Sequence, residues 1–233
     1  MNTKLFALEQ LSFSFNRAEA FFEHVSFSYA QPGLIFVQGK NGVGKSTLFR
    51  LLQGDVHQGE QANGTLVIGA KRYDLSTAPD RTTLHMASRA MAQESAAMVA
   101  PSFTGLENLA YAQFKQFPDL SLATVDTHLS ALARTGTVPL HKRASELSGG
   151  QRQMLALLMA TQQPLDLLFL DEPTAALDTK NARLVMDFVQ QLAVEKHLYI
   201  LCISHDAALV KEYAHAVLHV EEGDGGKRMV LPA

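Results

Sequence analysis

The sequence predicts an α/β fold with a parallel core sheet, an antiparallel β layer and an inserted α-helical subdomain. Three observations carry this reading. A short apolar run, Leu34-Ile35-Phe36-Val37, leads through a glycine-rich loop into an amphipathic stretch from Lys45 to Gln53. Much later, an apolar run at Leu167 to Leu170, a helical pattern at Asn181 to Glu195 and an apolar run at Leu198 to Ile203 follow one another. Strands alternating with helices imply parallel strands joined by crossovers. Between the two blocks, Thr104 to Gln163 is mostly helical in pattern, which places the inserted subdomain at 95–163.

Each element has its own signal. Residues 4–15 alternate weakly between apolar and polar (Leu11, Phe13, Phe15), as a half-buried strand does, and residues 21–29 look similar. Leu34 to Val37 is continuous and reads as a buried strand. Residues 64–74 suggest one more strand, with Gly54, Gly59, Gly64 and Gly69 as punctuation. These N-terminal strands supply the antiparallel layer. Thr104-Gly-Leu-Glu107 fits a capping box ahead of Leu106, Leu109 and Ala110. Ser148-Gly-Gly-Gln151 fits a second box, ahead of a strongly apolar helix.

Composition narrows the class. The chain has 233 residues, enough for a single domain over 1–233 that carries a subdomain. Hydrophobic residues make up 47%, too many for a disordered chain. The net charge of −3 gives no basic excess, so no nucleic-acid partner is expected. The single cysteine, Cys202, excludes an internal disulfide and fits a reducing compartment. A spanning helix needs about 20 mostly apolar residues, and the longest unbroken apolar run is only Met154 to Ala160. The N-terminus lacks the apolar core of a signal peptide. Any membrane role is therefore expected to come through a partner.

Gly39-Lys40-Asn41-Gly42-Val43-Gly44-Lys45-Ser46-Thr47 matches G-x-x-x-x-G-K-[ST], in the required position between a strand and a helix. Glycines let backbone amides approach phosphate oxygens closely, and the helix start adds a positive partial charge. Lys45 offers a point charge to the β and γ phosphates, and Ser46 a hydroxyl to Mg²⁺. The fold class sharpens to a phosphate-binding-loop (P-loop) NTPase with ATP and Mg²⁺ as cofactors.

Leu167-Leu-Phe-Leu170-Asp171-Glu172 sets two carboxylates at the carboxyl end of a buried strand, the edge where ligands of open α/β sheets bind. Asp171 suits Mg²⁺, through water, and Glu172 suits the attacking water as base or positioner. Leu147-Ser148-Gly149-Gly150-Gln151-Arg152-Gln153 is a second helix start with bare amides, and so a second anion site. Two such sites on one chain make sense if the second serves another subunit's nucleotide.

With these motifs in order, the sequence resembles the ABC ATPase family over nearly its whole length. The resemblance implies a role for several further residues. Gln93, in Met91-Ala-Gln-Glu94, matches the glutamine that contacts Mg²⁺ and senses the permease. Asp178, closing Pro173-Thr-Ala-Ala-Leu-Asp178, matches the loop that touches the opposite subunit, though an N-cap role alone would also fit it. His205, in Ile203-Ser-His-Asp206, matches the histidine at the γ-phosphate. Phe15, or Phe13 beside it, lies where an aromatic ring stacks on adenine. Lys40, Ala175 and the phenylalanine at 15 stand where the family more often has proline, serine and tyrosine; none of these changes removes a catalytic group.

The family further implies a homodimer or paired ATPase subunit, with Ser148, Gly149, Gly150, Gln151 and Asp178 reaching the partner's ATP. It implies an integral membrane permease, an extracytoplasmic solute-binding protein, and a peripheral position on the cytoplasmic face of the inner membrane. The stretches at Ala100 to Leu109 and Gln151 to Thr161 are similar to a bacterial subfamily of amino-acid uptake ATPases, with tryptophan or tyrosine as cargo. An exporter ATPase or a soluble ABC protein is the alternative. The short stretch after His205 leads to the expectation of no appended regulatory domain.

Overall fold

The strand at Leu34 to Val37 carries no polar residue because both of its faces are covered. Leu34 and Phe36 pack into one core, Ile35 and Val37 into another. In the computed structural model, which describes residues 5–16, 19–91, 98–113, 137–223 and 228–232, this strand lies near the middle of a ten-stranded sheet. The elements are β1 (Phe6–Ser14), β2 (Phe22–Tyr29), β3 (Gly33–Gln38), α1 (Lys45–Leu52), β4 (Gln61–Ile68), β5 (Lys71–Asp74), α2 (Ala78–Met86), β6 (Ser88–Met91) and α3 (Gly105–Gln113). They continue with α4 (Gly149–Ala160), β7 (Leu167–Asp171), α5 (Thr179–Lys196), β8 (Tyr199–Ile203), α6 (Ala207–Tyr213), β9 (Ala216–Glu222) and β10 (Arg228–Pro232).

The strand order is β5-β4-β1-β2-β10-β9-β3-β8-β7-β6. From β9 to β6 every pairing is parallel. The wing from β5 to β2 is antiparallel throughout. The expected parallel core and antiparallel layer are therefore both present, joined edge to edge through β10.

The first core lies where α4, α5 and α6 cover the parallel strands; it takes Met154 to Leu158 of α4, Val185 and Val189 of α5, and Leu209 of α6. The second takes Leu48, Phe49, Leu51 and Leu52 of α1 together with the wing's Phe6, Phe13 and Phe22. Fully burying such a side chain is worth roughly 1.5–3 kcal/mol, so both faces of the sheet are held to their covers.

Both capping boxes form. The Thr104 hydroxyl accepts from Glu107 N at 3.1 Å, and a Glu107 oxygen accepts from Thr104 N at 2.7 Å. At α4 the Ser148 hydroxyl accepts from Gln151 N at 3.2 Å, and Gln151 Oε1 accepts from Ser148 N at 3.0 Å.

The single strand expected at 64–74 is a hairpin: β4 and β5 turn at Gly69-Ala70, with Ile68 paired to Lys71 and Gly69 at φ 61°. A two-residue turn of this kind asks for positive φ, which glycine supplies. Of the subdomain expected at 95–163, residues 95–97 and 114–136 lie outside the described residues. Among the described residues no helix is long and apolar enough to cross a membrane.

Candidate phosphate-binding site

β3 delivers the chain into the glycine loop at the carboxyl edge of the parallel strands, and α1 leaves it at Lys45. Gly39 has no room for a side chain, because a Cβ there would strike the Val220 carbonyl of β9. Gly44, the N-cap of α1, sits at φ 113° with no side-chain cap, and a Cβ there would lie 2.7 Å from the Phe21 ring. No side chain caps the first-turn amides of α1, which leaves its partial positive charge for a ligand.

Lys45 is only 8% exposed. Its Nζ donates to the Gly39 carbonyl at 2.7 Å and the Lys40 carbonyl at 3.1 Å, folding the side chain back over the loop. The ammonium has a third proton to give.

A cavity of about 340 Å³ opens here. It is lined by Asn41, Gly42, Gly44 and Lys45 to Thr47, and across from them by Asp171, Glu172, Ile203 and His205. Residues far apart in sequence meet because β3, β8 and β7 are neighbours and all end at this edge.

Glu172 is a strained residue. Its φ of 50° is unusual for a non-glycine. Its amide donates to the Ile203 carbonyl at 3.0 Å, extending the β7–β8 ladder by one residue. Its Oε1 is buried and accepts no hydrogen bond among the described residues. Burial pushes the carboxyl above the usual carboxylate range, and the nearby Asp171 charge adds to this; His205 and Lys45 pull the other way. His205 Nε2 lies 3.6 Å from Oε1, the imidazole largely exposed. A buried carboxylate oxygen that accepts no hydrogen bond among the described residues, beside a hydroxyl and a second carboxylate, suits a water molecule, a divalent cation, or both. Ser46 and Asp171, lining the same space, fit the donor set for Mg²⁺; the loop amides and Lys45 fit a polyphosphate.

The remaining candidates lie elsewhere. Ser148 is exposed at the start of α4, Gly149 packs by Leu177 and Gly150 by Asn181. None of Ser148, Gly149, Gly150, Gln151 or Asp178 lines the loop cavity. Asp178 is the N-cap of α5, accepting from Asn181 N at 3.0 Å. These bonds from Asn181 hold its carboxyl below the usual range. Gln93 lies outside the described residues. Phe13 is buried at 2% exposure while Phe15 keeps 45%, so of the two only Phe15 offers a face.

Sequence reasoning missed Phe21. It meets Phe15 edge to face at 4.9 Å, stands against Gly44, and carries the Arg228 guanidinium 4.5 Å from its centroid. The double phenylalanine at 21–22 was visible as apolar, but only the β2 start shows that one ring turns to the loop.

Fold and site together define a nucleotide-binding α/β protein with a P-loop. Residues 22–175 match the family model described as ABC transporter, and the chain belongs to that family as an ATP-binding subunit with ATPase activity. It is 32% identical over 225 residues to the phosphonates import ATP-binding protein PhnC of Alcaligenes faecalis, covering 93% of this chain and 79% of that one. It is 31% identical over 209 residues to the phosphate-import ATP-binding protein PhnC of Mycolicibacterium smegmatis, covering 86% and 78%. Among solved structures, cbiO1 of Clostridium perfringens, part of the ABC transporter complex cbiONQ, superposes with a TM-score of 0.77 at 23% identity, over 99% of this chain and 88% of that one. These relatives are named for phosphonate and phosphate, so the expected kinship with amino-acid uptake ATPases finds no support in them.

Proposed function

We propose that this chain is the ATPase subunit of a bacterial importer, working as a head-to-tail pair beneath a separate membrane permease. The observation that carries the reading is the division of its anion sites. One cavity gathers Lys45, Ser46, Asp171, Glu172 and His205, while the glycine-rich start of α4, Ser148 to Gln151, lies outside it. In this reading ATP lies between the loop of one protomer, Gly39 to Thr47, and Ser148 to Gln151 of its partner, with Asp178 at the same seam. The names of the relatives support import over export. An ATPase subunit does not touch the cargo, so its residues assign none. Permease, extracytoplasmic solute-binding protein and a place at the cytoplasmic face of the inner membrane follow from the same reading, with Gln93 in the role of sensing the permease.

Phosphoryl transfer asks the protein mainly for positioning and charge stabilisation. Lys45, already held against the loop, neutralises the β and γ phosphates without rearranging. Ser46 and Asp171 would hold Mg²⁺, which would share that task when bound. Glu172 orients the attacking water and accepts its proton; burial raises the carboxyl's proton affinity and so favours acceptance. His205 faces the γ-phosphate and steadies Glu172. Phe15 stacks on the adenine, with Phe21 edge-on behind it.

Mixing two inactive variants tests the shared site. Ser148→Arg keeps Lys45 intact, and Lys45→Ala keeps Ser148 intact. Neither variant can build a whole site by itself, but a mixed dimer has one. Equimolar mixing should restore hydrolysis well above the mean of the two alone. A mixture that hydrolyses only at that mean would sink the head-to-tail reading.

A further inference from the structure

A second cavity lies behind Lys45. It holds about 310 Å³ and is lined by Val37, Gln38, Gly39, Lys45, Ser204, His205 and His219. Lys45 and His205 also line the phosphate cavity, so the two spaces meet at those side chains.

The register explains why polar groups converge there. Gln38 of β3 pairs with His219 of β9, and Val37 pairs with Ile203 of β8, one residue before Ser204. Paired residues share a face, and faces alternate along a strand. Phe36 and Cys202 belong to the first core and Val217 packs against it. Two residues on, Gln38, Ser204 and His219 therefore continue the same face past the end of the apolar core. α1 covers the opposite face. The chamber thus sits across the sheet edge from the helix that binds the nucleotide's phosphates.

Its chemistry is one-sided. Lys45 brings a fixed cation. The Ser204 hydroxyl accepts from Asp206 N at 3.2 Å, which leaves its own proton to donate. The Gln38 amide and two imidazoles add donors. Among the described residues no carboxylate lines the chamber, the Glu172 carboxylate lying on the far side of His205 in the phosphate cavity, and Glu221 and Glu222 line the larger cavity beside β9. At about 30 Å³ per water, there is room for a tetrahedral oxyanion with part of its hydration.

We propose that this chamber is a holding site for inorganic phosphate, with His219 and Gln38 as its determinants. The proposal rests on the ATPase reading of the neighbouring cavity. Once water has displaced ADP from the γ-phosphorus, the free phosphate moves past Lys45 and His205 into the chamber, with no bond made or broken on the way. Phosphate then has a route out on the face away from the nucleotide, and ADP need not leave first.

Titration of inorganic phosphate followed by ³¹P NMR, on the protein saturated with Mg·ADP, tests this. The parent chain should bind phosphate alongside ADP. His219→Leu should weaken phosphate about tenfold, the worth of one hydrogen bond to a charged group, while Mg·ADP binds as before. Gln38→Leu, on a different strand, should weaken it in the same direction. A parent that binds Mg·ADP but no phosphate, or both leucine variants binding phosphate as tightly as the parent, would overturn the chamber and leave the ATPase reading standing. A parent that fails to bind Mg·ADP would overturn both.

Discussion

α1 and α4 both begin in glycine-rich turns, yet one starts inside a cavity and the other at the surface. At α1 the N-cap is Gly44, which has no side chain to satisfy the first-turn amides, and the next residue, Lys45, is buried against the loop. At α4 the N-cap is Ser148, exposed and locked with Gln151 in a reciprocal capping box. The first helix start is unfinished without an anion but has every other part of a site around it. The second has its cap already satisfied, and none of Ser148, Gly149, Gly150 or Gln151 lines the phosphate cavity. Ser148 is exposed and keeps its hydroxyl proton to give, and in the proposed reading α4 completes a site it does not contain. The difference teaches that a helix start needs surroundings to be a binding site; in the proposed reading α4 borrows them from a partner.

Four substitutions sharpen the contrast. The largest effect belongs to Glu172→Gln, which should cut ATP turnover by about 10²–10⁴-fold, the range for loss of a general base, with Mg·ATP affinity retained in an equilibrium binding assay. Next comes Lys45→Ala, which removes a charge-assisted contact and should weaken Mg·ATP binding by one to two orders of magnitude, roughly 1.5–3 kcal/mol. Ser148→Arg, at the other helix start, should leave binding to the single chain unchanged while abolishing dimerisation; equal losses in the two variants would erase the distinction between α1 and α4.

Two smaller effects are read as stability. The folded-state pKa of Glu172 is raised, chiefly by burial. Its contribution to stability is therefore present below the ordinary glutamate value of about 4.3 and is lost as pH rises through the raised value. Glu172→Gln should accordingly raise Tm at pH 7, and the gain should shrink as the pH falls through the raised value and be gone below about 4. A gain of the same size at pH 3 and pH 7 would contradict the buried-charge explanation. Ser148→Ala removes the α4 cap and should cost about 1 kcal/mol, or roughly 2–4 °C in Tm for a chain of this size.

The site motifs were legible because their chemistry is local. The glycine loop, Asp171-Glu172 and both capping boxes each depend on residues close in sequence, and each appears where the spacing put it. Elements defined by distant pairing were not. β6 begins Ser88-Arg89, carries no apolar alternation, and is a strand because β7 offers it a parallel edge. β9 and β10 were missed in the same way; β9 earns its place by pairing with β3, far back in the chain.

Periodicity also misleads near Phe15. Continued alternation from Leu11 and Phe13 would bury it, but β1 carries register shifts at Leu8/Leu11 and Leu11/Phe13 and ends at Ser14. Phe15 leaves the sheet there, which is why it keeps an exposed face. Gln38, Ser204 and His219 gave no sequence signal at all, since only the register of three strands brings them together.

The most direct test of the shared site is the mass of Glu172→Gln by size-exclusion chromatography with light scattering, with and without Mg·ATP. The account predicts a monomer that becomes a dimer on adding Mg·ATP, and no such shift when Ser148→Arg is added. A chain that binds Mg·ATP to saturation and stays monomeric, or one that dimerises equally well with Ser148→Arg in place, would contradict it.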